Sequence, residues 1–188
     1  MSTVIVSTFV TLDGVQDDPQ DWSLEFWSEE YGRHARDQLL AADALVMGRV
    51  TYEAFAATWP AVDDTGSPTE GFADRMNSIR KYVVAGRRPS LLWTNTQPVT
   101  GDLATFVREL PGATLLYGSG RVARTLAAAG LVDEFRVWVH PVVAGGGTNV
   151  LPGWPRTRMT LLSQTQLPHG VVVLSYRPEP LTPPSNIS

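Results

Sequence analysis

Residues 115–130 read LLYGSGRVARTLAAAG, and the reading of this stretch decides the fold. An apolar run ends at Tyr117. Gly118 and Gly120 flank Ser119, and a helical pattern of small and apolar residues starts at once with Arg121 and Val122. The spacing is G-x-G-x-x-A between a strand and a helix. Bare amides at a helix start point outward, and the helix dipole adds partial positive charge there. A Cβ would keep an anion away from those amides, so glycine is what permits close approach. The plain alternative is a tight turn before a helix, and the segment alone fits both. A Rossmann domain fits badly, because its fingerprint sits in the first βα unit with an acid closing the next strand. Here the glycines lie two-thirds along the chain, and the next strand ends VWVHP.

Two more junctions have the same form. In LVMGRVTYEAF (45–55) a buried strand ends at Gly48, with Arg49 and Thr51 in the first helical turn that follows. An arginine offers forked donors to phosphate oxygens, and a threonine hydroxyl adds another. The alternative makes Arg49 a surface residue and Thr51 a cap. In VVAGRRPSLLWTN (83–95) a strand ends near Ala85 and Gly86, and Arg87 and Arg88 follow. Adjacent guanidiniums there could hold a ribose 2′-phosphate, or could be a solvated pair. Together the junctions describe three anion-tolerant bends at the carboxyl ends of parallel strands, where such sheets place ligands.

Working outward, strands are expected at 3–12, 42–48, 81–86, 91–95, 113–118 and in DEFRVWVHPVV (133–143), with helices at 27–41, 49–59, 71–79, 102–110 and 120–130. Near the end, TRMTLLSQTQL and VVVLSYR flank Pro168-His169-Gly170 and read as an antiparallel hairpin. Strand–helix alternation implies a mostly parallel sheet with helices on both faces. The expected fold class is therefore α/β: one three-layer domain over residues 1–177, a mixed sheet of about eight strands, and a Pro-rich tail at 178–188.

Composition narrows function. Hydrophobic residues make up 43% of 188, which suits a globular domain with a sizeable core. No apolar run reaches membrane-spanning length and no signal peptide is recognisable. Cysteine is absent, which removes disulfides and thiolate chemistry and fits a reducing, cytoplasmic interior. The 15 basic residues are scattered among 19 acidic ones, for a net charge of −4, so a nucleic-acid partner is not expected. His34, His140 and His169 are scattered, without metal-ligand spacing, and Tyr117 stands where a G-x-S-x-G hydrolase elbow needs glycine.

In this order the segments STFVTLDGV, ALVMGRVTYEAF, KYVVAGRR, LLYGSGRVARTLAAAGLVDEFRV and HPVVAGGGTNVLP resemble the dihydrofolate reductase-like superfamily. Within it, the resemblance is to the group named for the C-terminal reductase domain of bifunctional riboflavin biosynthesis proteins, over about residues 3–176. The resemblance implies an NADPH-binding reductase. It places the pyrophosphate between the turns at Gly48-Arg49-Val50-Thr51 and Gly118-Ser119-Gly120-Arg121-Val122, and the adenosine end near Ala85, Gly86 and Arg87. It sets Asp13 near the nicotinamide and substrate, and Trp22 roughly where dihydrofolate reductases keep a tryptophan beside the substrate. It also implies a homodimer. Two departures separate the chain from both named activities: Glu25, Glu29 and Glu30 lie near the place of the pterin-protonating carboxylate, but across a longer loop that leaves open which of them, if any, matches it, and Tyr117 stands where riboflavin reductases carry an acid.

The expectation is thus an NADPH-dependent reductase acting on a small pterin-, pyrimidine- or flavin-like substrate. Trp22, Phe26, Trp27, Tyr31 and Trp59 could wall its cleft, with core packing as the alternative for each. Asp13 could orient substrate or donate a proton, or be a turn residue before Gly14. The glycine loop 145–147 could close over substrate or be a plain connection. The rival functions are a nucleotide-binding module without turnover and a flavin-type ligand in the same cleft.

Overall fold

A computed structural model describes residues 3–86, 90–118, 120–154 and 156–179. The strands are β1 (Thr3–Thr11), β2 (Ala44–Gly48), β3 (Arg80–Val84), β4 (Thr96–Pro98), β5 (Ala113–Tyr117), β6 (Glu134–His140), β7 (Met159–Gln166) and β8 (Val172–Pro178). The helices are α1 (Glu29–Leu40), α2 (Arg49–Thr58), α3 (Phe72–Ser78), α4 (Leu103–Glu109) and α5 (Arg121–Ala128). These eight strands form one sheet in the order β4-β3-β2-β5-β1-β6-β8-β7. Pairing is parallel from β4 through β6, and β8 runs antiparallel to β6 and to β7. The expected α/β class, mixed sheet and terminal antiparallel pair are all present. No described helix is long and apolar enough to cross a membrane.

Strand periodicity divides the core between two faces. Val4, Val6, Val46 and Leu116 point to one side and pack with Val107 of α4 and Leu126 of α5. Leu45, Met47, Val83 and Leu115 point to the other and pack with Leu39 of α1, Tyr52 of α2 and Met76 of α3. A third cluster joins Tyr31 of α1 to Trp138 of β6 and Val173 of β8, so α1 also covers the antiparallel end.

One sequence expectation fails locally. LLWTN (91–95) is not a strand; the fourth strand is the three-residue β4 just beyond it. Leu91 and Trp93 are apolar because they plug the α1–α3 side of the core, not because they pair. The Trp93 N–H is taken by the Tyr52 hydroxyl at 3.2 Å, and Asn95 turns the backbone at φ +58°. The final hairpin does reverse at Pro168–Gly170, through one 3-10 turn with His169 at φ +59°.

Candidate functional site

The three bends singled out in the sequence are neighbours, because β3, β2 and β5 lie side by side and run parallel. Gly48 pairs in register with Val84, so Ala85 and Gly86 continue directly beside it. Ala85 is half-buried against the core, and Gly86 is exposed with open space around it. On the other flank, a Cβ added to Gly48 would stand 3.5 Å from Val122 Cγ2 of α5. The bends at Gly48 and at Gly118–Gly120 therefore abut. Gly118 sits at φ +83°, a conformation glycine adopts freely, and its N–H donates to the Ser7 carbonyl at 2.8 Å. Ser119 and Arg87 lie outside the described residues.

Among the described residues, neither helix that starts at these bends has a side-chain cap. The Ser28 hydroxyl accepts the Tyr31 N–H at 3.1 Å to cap α1, and the Asp102 carboxylate accepts the Thr105 N–H at 2.8 Å to cap α4. Gly48 and Gly120 occupy the same position before α2 and α5 and offer no side-chain acceptor. First-turn N–H groups need a partner from outside the helix, so both ends leave donors for an external anion. Charge follows the same division. Acids open α1 (Glu29, Glu30), whereas Arg49 opens α2 and Arg121 opens α5. A cation at a helix N-terminus opposes the dipole. Arg49 is held by Glu53 through Nη1, at 2.9 and 2.7 Å from the two carboxylate oxygens. The Arg121 guanidinium is exposed and makes no ion pair with another described residue. Thr51 is half-buried in the first turn of α2.

Asp13 and Trp22 form a second group. From Ser7, which is level with the end of β5, β1 runs on for four residues to Thr11, about 13 Å at the rise of a strand. Past its end the 12–17 segment is stitched to 142–150. Leu12 N–H donates to the Val142 carbonyl at 2.7 Å, Gln16 N–H to Thr148 at 3.0 Å, and Val150 N–H to Gly14 at 2.7 Å. Asp13 is the clasp: its carboxylate accepts the Thr11 hydroxyl at 2.5 Å and the Ala144 and Gly145 N–H groups at 3.0 and 2.8 Å. Those donors, the Thr11 hydroxyl first, lower its pKa to about 2. The glycine loop 145–147 is thus tied at its first residue. Trp22 joins the stitch by donating its indole N–H to the Asp17 carbonyl at 2.9 Å, and its ring meets His140 edge-on at 5.1 Å.

Beneath Trp22 the aromatic residues divide. Tyr31 and His140 are buried. His140 Nδ1 lies 3.0 Å from the Trp138 carbonyl, which can only accept, so Nδ1 carries the proton and Nε2 accepts from the Tyr31 hydroxyl at 3.2 Å. Burial lowers the His140 pKa and raises that of Tyr31, so both are neutral at pH 7. Phe26 is half-buried against the same cluster, while Trp27 is 47% exposed. Trp59 packs on Phe72 and Phe55, and Phe55 on Tyr117, so Trp59 belongs to a separate row nearer the glycine bends.

Sequence reasoning missed the Asp13 clasp, whose loop partners Ala144 and Gly145 are more than 130 residues away, and the His140–Tyr31 bond. It also passed over Glu53, although R-x-x-x-E places an acid one helical turn beyond Arg49. Among the described residues no three His, Asp or Glu side chains are grouped to hold a metal.

Known proteins resemble this chain in sequence and in fold. Uncharacterized protein YyaP of Bacillus subtilis strain 168 is 26% identical over 181 residues, covering 92% of this chain and 93% of that one. A crystal structure from Shewanella sp. PV-4, of a protein assigned to riboflavin biosynthesis, superposes with a TM-score of 0.71 at 18% identity, covering 95% and 99% of the two chains. Dihydrofolate reductase from Enterococcus faecalis, solved with NADP(H) and RAB-propyl, gives a TM-score of 0.61 at 12% identity, covering 95% and 97%. The last two likenesses establish the fold. The profile described as RibD C-terminal domain matches residues 2–173, a span that takes in β1 through β7 and only the first two residues of β8, and the chain belongs to that family.

Proposed function

We propose that this protein is an NADP-dependent reductase that transfers hydride to a small pterin-, pyrimidine- or flavin-like heterocycle. The observation that carries the reading is the meeting of two uncapped, arginine-led helix N-termini, α2 and α5, at adjacent strand ends. An isolated structural turn has no use for that charge arrangement, whereas a diphosphate satisfies both sets of amides and both arginines. The solved dihydrofolate reductase of similar fold carries NADP(H), which supports the same choice of ligand.

In this reading Gly48, Arg49, Thr51, Gly118, Ser119, Gly120, Arg121 and Val122 hold the diphosphate. Ala85, Gly86 and Arg87 flank the adenosine end. NADPH, when bound, supplies the hydride. The chain positions the acceptor and excludes water. Trp22, propped on His140, walls the substrate side. Asp13 is ionised at neutral pH and engaged by loop donors. Its role is therefore to orient the loop and substrate rather than to donate a proton, and the proton that completes reduction comes from solvent.

The rival reading, a nucleotide- or flavin-binding module without turnover, draws on the same Asp13 observation, since that carboxylate is no proton donor. One experiment separates them: titrate the protein with NADPH and NADH by nicotinamide fluorescence, then add a pterin, a flavin or a quinone and follow absorbance at the reduced nicotinamide band. Binding with acceptor-dependent oxidation supports the reductase. Binding without oxidation of any acceptor supports the module. Absence of binding removes the reductase and the nicotinamide-nucleotide module and leaves only a flavin-type ligand.

The proposal includes a cytoplasmic homodimer. Its support is the edge at β7, which no other described strand pairs and where Leu161 and Leu162 are 49% and 45% exposed, together with the cysteine-free composition. A monomer mass by light scattering at micromolar concentration would reject the dimer.

A further inference from the structure

We infer that Glu53 is an internal stand-in for the cofactor's phosphate, and that it sets nucleotide affinity by competing for Arg49. The inference rests on the diphosphate reading above.

Arg49 and Arg121 occupy equivalent places, each the first residue of a helix that follows an uncapped glycine. They differ in what they hold. Both Glu53 oxygens lie within 2.9 Å of Arg49 Nη1, while Arg121 makes no ion pair with a described residue. Helix energetics favour the Arg49–Glu53 pair only weakly. A cation at the first position opposes the dipole, and an arginine placed N-terminal to its acid is the weaker of the two orders. The arginine is therefore there for another anion, and the carboxylate four residues on occupies it while that anion is absent.

The pair is also built to let go. The Arg49 and Glu53 side chains are 56% and 54% exposed, so water replaces either partner readily. Exposed pairs of this kind contribute little, and Glu53 engages only the one nitrogen Nη1, whereas a phosphate can take the guanidinium through two parallel N–H···O bonds and carries more charge. Glu53 then stands beside the bound anion as a like charge. Arg121 is the permanent clamp, and Arg49 is a conditional one.

The test is a double-mutant cycle on NADPH affinity at fixed ionic strength, using wild type, Glu53→Gln, Arg49→Gln and the double variant, with inorganic pyrophosphate as a competing probe. Thermal melts of all four confirm folding. Glu53→Gln is expected to tighten NADPH about two- to fivefold, the range expected for releasing an exposed i,i+4 pair and removing one like charge. Arg49→Gln weakens binding, and in that background Glu53→Gln has a clearly smaller effect, because only the like-charge part remains. Unchanged or weaker binding in Glu53→Gln overturns the inference, as does equal tightening with and without Arg49, which would mark a general charge effect. Those results leave the diphosphate site standing. If wild type binds neither NADPH nor pyrophosphate, the site reading itself falls and takes the inference with it.

Discussion

Gly118 and Gly120 belong to one motif, yet the structure gives them different reasons to be glycine, and two single substitutions separate those reasons. Gly118 sits at φ +83° with nothing within 4 Å of where a Cβ would stand, so alanine there meets no steric neighbour and is strained only by its backbone conformation. The left-handed penalty for an L-residue is about 1–2 kcal/mol. For a chain of this size that lowers Tm by about 2–8 °C. Gly120 has φ −67° and also has open space where a Cβ would go. Alanine fits that conformation, so Gly120→Ala should change stability by less than about 0.5 kcal/mol or raise it slightly. What the methyl group occupies is the approach to the first amides of α5. Gly120→Ala is therefore expected to keep its melting temperature while weakening NADPH binding at least tenfold. Gly118→Ala loses stability first, and affinity only as the bend distorts. Differential scanning fluorimetry and nicotinamide fluorescence titration read the two quantities. Wild-type affinity in Gly120→Ala would show that no ligand comes close there, and an unshifted Tm in Gly118→Ala would show that the bend does not depend on a left-handed residue.

Three further outcomes follow from buried and clasped groups. Lys81 has no exposed surface, and burial lowers its pKa from 10.5 to about 8. The unfolded chain then holds more protons between those values, so stability should rise as pH increases from about 8 toward 10.5, by about 1–3 kcal/mol after allowing for screening. Urea melts across that window should show the slope in wild type and not in Lys81→Met; equal slopes would refute it. Tyr31→Phe leaves His140 Nε2 buried without its partner, which is expected to cost about 1–3 kcal/mol; a loss below about 0.5 kcal/mol would contradict the buried Tyr31–His140 hydrogen bond. The Asp13 pKa is depressed from 3.8, so its clasp is fully present above that pH and is lost as pH falls toward 2. At pH 7, Asp13→Asn should speed hydrogen exchange at the Ala144 and Gly145 amides, and unchanged protection would show that the loop is held by other bonds.

The fold was legible where local pattern and burial agree. The continuous β-branched run of β1 needs cover on both faces, and it lies between two neighbours under helices. The bends at Gly48 and Gly118 were legible because each terminates an apolar strand and opens a helix. LLWTN misled because apolarity reports burial and not pairing: Trp93 is buried, but its N–H goes to the Tyr52 hydroxyl rather than to a strand. The Asp13 clasp was out of reach because turn chemistry at Asp-Gly explains the residue completely until the Ala144 and Gly145 amides are placed beside it. Arg49 was read as a phosphate ligand from its position alone. That Glu53 holds it here depends on rotamers, which spacing permits but does not choose.

The position of β1 has a consequence for the chain as it is made. β1 is made before every other strand of its sheet, yet it is central and both its neighbours are late: Ile5 pairs with Leu115 on one side and Glu134 on the other. At ordinary elongation rates the first partner emerges on the order of 5–20 s after β1. Through that interval a nine-residue strand rich in valine, with both edges unsatisfied, waits in solution. Refolding from denaturant faces the same long loop closures, which slow the search and leave that strand exposed to neighbouring chains. Yield on expression should therefore respond to chaperones and to low temperature more than to any surface substitution.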